Sequence, residues 1–180
     1  MIKHVGARLI APTEQAEILS EQLRHGVGHF LPQRRGIIGL SLLAVGSMSM
    51  ITLYQTGIIR HLPEPPLPRL NADKVDASAE AYTKLETPDA ILAIGNYAIT
   101  TGLAAMGGMY RAERQPWIPL ALAAKIGFDS YQAVRLYVDQ TTKQNALCGY
   151  CILAAITSIA SIPLVIPETI AAVKHLMGKK

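Results

Sequence analysis

IIGLSLLAVGSMSMITLYQTGII, residues 37–59, is 23 residues long and carries no charged side chain. At about 1.5 Å per residue, a helix of that length slightly exceeds the hydrocarbon core of a bilayer, so it reads as a membrane span. Two further uncharged runs follow the same logic. Residues 90–110 contain Gly95, Gly102, Gly107 and Gly108, small residues that let membrane helices approach closely. Residues 146–167 end in Pro163 and Pro167, which predict a bend or stop near the far end.

Between them, residues 117–138 are interrupted by Lys125, Asp129 and Arg135. Lys125 and Asp129 are four apart, so they share a helical face and can neutralise each other, while Arg135 near an end can snorkel to the interface. The pair reads as a structural ion pair more readily than as a proton relay. Counting this segment as a span also satisfies the positive-inside rule. With an inside N-terminus, the cytoplasmic segments hold Lys3, Arg8, Arg24, Arg34, Arg35, Arg111, Arg114, Lys174, Lys179 and Lys180. The outer loops hold Arg60, Arg69, Lys74, Lys84 and Lys143. The expectation is an all-α bundle of four transmembrane helices (37–59, 90–110, 117–138, 146–167), with a loop and short capping helix outside between the first two. A basic tail, 171–180, follows inside.

The rest of the composition narrows the field. Half the residues are apolar and 17% are charged, which excludes a disordered chain, and the net charge of +4 is not clustered as nucleic-acid binding requires. A soluble, very apolar helical domain is the competing architecture. The first 36 residues are polar and predict an amphipathic helix rather than a cleaved leader, with Thr13 as N-cap, apolar Ala16, Leu19 and Leu23, and Gly26 as the stop. The long connection 60–89 opens with a stiff Pro63–Pro68 spacer; Asp76 is expected to cap a short helix that ends at Thr87-Pro88. Such a segment fits a lid over the outer face.

The compact chemical signal is Cys148-Gly-Tyr-Cys151, the chain's two cysteines, placed where the third loop becomes the fourth helix. A two-residue gap lets the sulfurs bridge, and a helix N-terminus favours a thiolate, as a dithiol catalyst needs. On this topology the pair faces the oxidising side, where a disulfide persists. Two cysteines three apart also occur as ordinary apolar packing residues. A zinc site falls short on ligand count, because there is no second cysteine pair, so no metal is expected. His25 and His29 bracket Gly26 and Gly28 and read as interface histidines.

Four spans, a long outer loop and Cys-x-Tyr-Cys opening the last span resemble the vitamin K epoxide reductase family. A second stretch adds to the likeness: Val75-Asp-Ala-Ser78, Tyr82, then Thr87-Pro88-Asp89 through Tyr97 is similar to the family's loop serine, capping helix and second span. The resemblance covers about residues 37–170. It implies that Cys151 contacts a membrane quinone (ubiquinone or menaquinone) and that Cys148 exchanges disulfides with a thioredoxin-like extracytoplasmic dithiol protein. It further implies that Ser78 is the loop serine and that Asp89 bonds a quinone oxygen. The quinone slot is expected between the second and fourth spans. The chain departs from the family pattern in having no loop cysteine pair and Ala155 where some relatives place tyrosine. The implied activity is a thiol:quinone oxidoreductase of the bacterial inner membrane, multi-pass, with both termini cytoplasmic. The alternative is a silent relative serving as a structural or accessory subunit of a larger membrane complex.

Overall fold

The computed structural model describes residues 12–178. It is helical throughout, with no β-strand among the described residues beyond an isolated bridge between Leu70 and Leu147. The helices are α1 (Pro12–His25), α2 (Leu31–Gln55), α3 (Ala72–Asp76), α4 (Asp89–Ala105), α5 (Arg111–Arg114), α6 (Trp117–Asp139), α7 (Gly149–Ala160) and α8 (Ile162–Gly178). A 3₁₀ turn at Ala79–Tyr82 and a π turn at Gln140–Gln144 complete the order. The cations expected at positions 3, 8, 179 and 180 lie outside the described residues.

Among the described residues, two helical stretches are long and apolar enough to cross a membrane: α2, and the pair α7–α8 taken together. Between α7 and α8 only Ser161 leaves the helix, and Pro163 stands in the first turn of α8, where its missing N–H has no helical acceptor to lose. The proline pair therefore interrupts the run at Ser161 without ending it, and helix continues to Gly178 through residues expected as a tail. Helix α4 has 17 residues, and α6 carries the three charges noted in its sequence.

Helix α2 is the centre of the packing and lies against both α4 and α7. Its buried stripe, Ile37, Ser41, Ala44, Ser47, Met48 and Ile51, recurs at helical spacing and is small in the middle, so its neighbours come close. Ser47 Oγ donates to Tyr150 O at 2.8 Å, fixing α2 to the first turn of α7. Gly57, at φ 76°, stops α2 by turning left-handed, and Ile58 N donates back to Leu53 O at 2.9 Å. The helix thus ends four residues short of the end of the uncharged run.

The C-terminal end of α4 is closed by two buried arginines. Arg34 donates to Ala104 O, Ala105 O, Met106 O, Gly107 O and Gly108 O, the carbonyls a helix end leaves open. Arg111 donates to Leu103 O and Met106 O and pairs with both oxygens of Glu168 on α8 at 2.7 Å. This double cap ends α4 at Ala105, before Tyr110. Midway along the bundle, Lys125 and Asp129 pair at 2.5 Å, and Asp129 also accepts from Asn96 Nδ2 and Thr100 Oγ1 of α4. Helix α1 begins at Pro12, so Thr13 is helical rather than capping; Arg35 Nη2 ties its end to α2 through Leu23 O and Gly26 O.

Candidate functional site

The site is assembled at one end of the bundle, where α7 begins. Cys148 is the N-cap of α7 in extended geometry, and its Sγ accepts the backbone N–H of Cys151 at 3.2 Å. A short side chain capping its own helix is the local reason the two sulfurs face each other: the bond that satisfies an open helical N–H points Sγ along the first turn. Both cysteines are free thiols. Cys148 is 0% exposed, and Cys151 is partly exposed.

Asp76 completes the cluster. Its carboxylate and the two sulfurs lie within 4.8 Å of one another, and Cys151 Sγ donates to Asp76 Oδ1 at 3.7 Å. The residue expected to cap the loop helix does something else. Asn71 is the cap, accepting from Lys74 N at 2.9 Å, and Asp76 is the last residue of α3, 3% exposed. Its Oδ2 is buried and has no hydrogen-bond partner among the described residues. Burial is the main cause that pushes the Asp76 carboxyl up to about 7; hydrogen bonds from Cys148 and Cys151 pull it back, and the nearby Asp89 and Glu64 charges push it further.

Beneath Cys148, Gln140 is fully buried and its Oε1 accepts the Cys148 N–H at 3.2 Å. The π turn that follows places this side chain under the cysteine pair. Above it, a strap crosses the start of α7. Glu64 Oε1 accepts from Gly149 N and Glu64 Oε2 from Ala72 N, both at 2.6 Å. Tyr150 Oη donates to Pro63 O at 2.7 Å, Leu147 N donates to Arg69 O, and Asn71 N donates to Leu147 O. This strap joins α3 to α7 across the start of the cysteine helix.

An apolar groove of about 250 Å³ opens beside Cys151, with Ala133, Leu136 and Tyr137 of α6 on one wall and Ala155, Ile156 and Ile159 of α7 on the other. Gln140 borders it near the cysteines. The slot expected between the second and fourth helical segments therefore lies between the third and fourth. The reason is packing: α4 is held to α2, and Tyr97 fills its approach to α7, with its Oη donating to Ala154 O at 3.2 Å and paired with Ser158 Oγ at 3.1 Å.

Ser78 and Asp89 stand apart from that groove. Ser78 Oγ accepts from Gln144 Nε2 at 3.3 Å, and Asp89 Oδ1 accepts from Gln55 Nε2 at 2.8 Å. The same Gln55 amide donates to Asp76 O, so Asp89 supports α3 through one intermediary. Reading the sequence alone misses Asp76, Gln140 and Glu64 as parts of the site. An acidic residue just ahead of the loop serine was the visible trace of the first, and the Pro-rich segment around Glu64 was the visible trace of the strap.

The sequence model of the vitamin K epoxide reductase family matches residues 36–166, and the chain belongs to that family. No curated protein and no solved structure matches the chain. Family membership makes this a membrane-associated oxidoreductase, in agreement with its two long apolar helical stretches.

Proposed function

Starting from that membership, we propose that the protein is a thiol:quinone oxidoreductase. It carries electrons from an extracytoplasmic, thioredoxin-like dithiol through the Cys148–Cys151 pair to a membrane quinone. One observation carries the reading: two sulfurs and a buried carboxylate converge within 4.8 Å beside an apolar groove. In this reading α2, α4, α6 and α7–α8 all cross the bilayer of a bacterial inner membrane, with both termini on the cytoplasmic side. The exposed apolar side chains of α6 and α7, Val134, Leu136, Ile156 and Ile159, then face lipid.

The groove suits the ring of a quinone: its walls are apolar, it is open on the side where lipid would lie, and Cys151 and Gln140 are among the residues that line it. A quinone bound there supplies an acceptor of two electrons and two protons. The remaining steps belong to the chain. In the disulfide form, Cys148 Sγ receives the attacking sulfur of the donor, the bond to Cys151 breaks, and Cys151 leaves as thiolate. The second donor thiol then displaces Cys148, so the donor departs as a disulfide and the pair is left with two electrons more. The Cys151 N–H, aimed at Cys148 Sγ, stabilises the sulfur while it is anionic. Asp76 Oδ1, 3.7 Å from Cys151 Sγ, holds the proton that must leave Cys151 before the sulfurs rejoin.

Replacement of both cysteines by serine tests the reading in membrane vesicles supplied with a dithiol and a quinone analogue. Quinone reduction is expected to fall to background, and unchanged reduction would discard the assignment. A second reading, a non-catalytic subunit of a larger membrane complex, is favoured by the full burial of Cys148 and the lack of cysteine in residues 60–89. It predicts a cysteine pair that stays reduced in isolated membranes under maleimide mass tagging.

A further inference from the structure

We infer that the reduced site is also a binding site for a borderline-soft divalent cation such as zinc, with Cys148, Cys151 and Asp76 as its ligands. The inference shares the cysteines of the proposed redox cycle but needs no quinone turnover; it requires only that both sulfurs be reduced. Counting ligands along the sequence finds two and stops. The third comes from 72 positions upstream of Cys148, delivered by the fold.

The geometry is close to what such a cation takes. Zinc is bound at about 2.3 Å by thiolate and about 2.0–2.2 Å by carboxylate in a tetrahedron, so neighbouring ligand atoms stand about 3.6 Å apart. Cys151 Sγ and Asp76 Oδ1 are 3.7 Å apart, already one edge of that tetrahedron. The widest separation in the set is no more than 4.8 Å, within the reach of side-chain rotation on a fixed backbone. Two sulfurs and one oxygen are a donor set that zinc accepts and that calcium or magnesium does not favour.

A second observation points the same way. Asp76 is 3% exposed, and its Oδ2 has no hydrogen-bond partner among the described residues. Buried carboxylate oxygens are ordinarily satisfied, and a cation held by both oxygens of the Asp76 carboxylate and the two sulfurs satisfies this one. Three acidic groups gathered in a buried place require either protons or a cation to offset their charge. Binding breaks two S–H bonds, and the O–H of Asp76 wherever that carboxyl is protonated, forms two metal–sulfur bonds and the metal–oxygen bonds to Asp76, and sends the displaced protons to solvent. No electron moves. Because both sulfurs are then engaged, the metal-bound form cannot close its disulfide, so the cation holds the enzyme off.

Cobalt(II), which gives thiolate charge-transfer absorption, is the probe. Full-length protein in detergent, reduced with a phosphine that is then removed, is titrated with it. The expected result is one equivalent bound, displaced by zinc, absent after diamide oxidation, lost in Cys148→Ser and in Cys151→Ser, and at least tenfold weaker in Asp76→Asn. Far-ultraviolet circular dichroism reports whether each variant is folded, and the comparison of oxidised with reduced wild type needs no variant at all. Absence of the cobalt–thiolate band in reduced wild type, equal binding by the oxidised form, or full affinity in folded Asp76→Asn would overturn the inference. Dithiol-driven quinone reduction measured in EDTA separates the two claims. Turnover without cobalt binding defeats this inference alone, and cobalt binding without turnover upholds it while defeating the redox reading.

Discussion

Removing the Glu64 carboxylate should expose Cys148. The sulfur is fully buried, and the strap over it is tied to the cysteine helix by Glu64, which accepts Ala72 N–H and Gly149 N–H at 2.6 Å each. Hydrogen bonds to a charged group contribute about 1.5–3 kcal/mol each. Because Glu64 is half-buried and water replaces part of what is lost, the lower end applies. Two such bonds then make opening harder by about 3 kcal/mol. At about 1.4 kcal/mol per tenfold, Glu64→Ala should raise the open population of the strap about a hundredfold. Glu64→Gln, which keeps acceptor oxygen but no charge, should fall between. The assay is the rate of maleimide mass tagging at Cys148 in a Cys151→Ser background, in detergent, with helical content checked by circular dichroism. If tagging in Glu64→Ala is within threefold of its parent, the strap is not what shields the sulfur.

Three further outcomes follow from the same structure. Glu168→Ala strands the buried Arg111 guanidinium beside Arg34; breaking a buried pair costs about 3–5 kcal/mol, which for a chain of this size lowers the midpoint of thermal unfolding in detergent by about 6–20 °C. Ala155→Trp fills the groove beside Cys151, so the KM for a quinone analogue should rise at least tenfold while the rate at which a dithiol reduces the Cys148–Cys151 disulfide stays as in wild type. The third concerns pH. The folded-state value of Asp76, about 7, lies above its unfolded value, so its stabilising contribution is complete below about pH 4 and is lost as pH rises through 7. With EDTA present, wild-type protein should therefore lose stability relative to Asp76→Asn between pH 4 and 8, seen as a fall of its unfolding midpoint relative to that of the variant.

The helical fold, the family and the dithiol were legible in the sequence because each rests on a local pattern. Uncharged runs mark apolar helices, and a two-residue gap at a helix start marks sulfurs that can meet. Asp76 was not legible because its role depends on α3 lying against α7, and a local reading of an acidic residue near a turn yields a cap. The cap was Asn71, five positions earlier. The groove was misplaced for a similar reason. Small residues on α4 promised a gap, but small residues close a helix pair as readily as they leave a slot, and α4 packs tightly on α2. The prolines mark the break between α7 and α8 at Ser161, and the sequence does not show that helix resumes there, because a proline three residues beyond a helix end is compatible with a second helix starting.

The arginine cap at the C-terminal end of α4 constrains the order in which the chain can mature. Arg111 leaves the ribosome 57 residues ahead of Glu168, the carboxylate that neutralises it, and until then the turn after α4 holds two guanidinium groups with only carbonyl dipoles to receive them. The helices made earlier can therefore meet one another, but this end of α4 cannot settle into its final packing until α8 has been made. A nascent chain stalled before that carboxylate would be left with an unneutralised cationic corner at the end of α4.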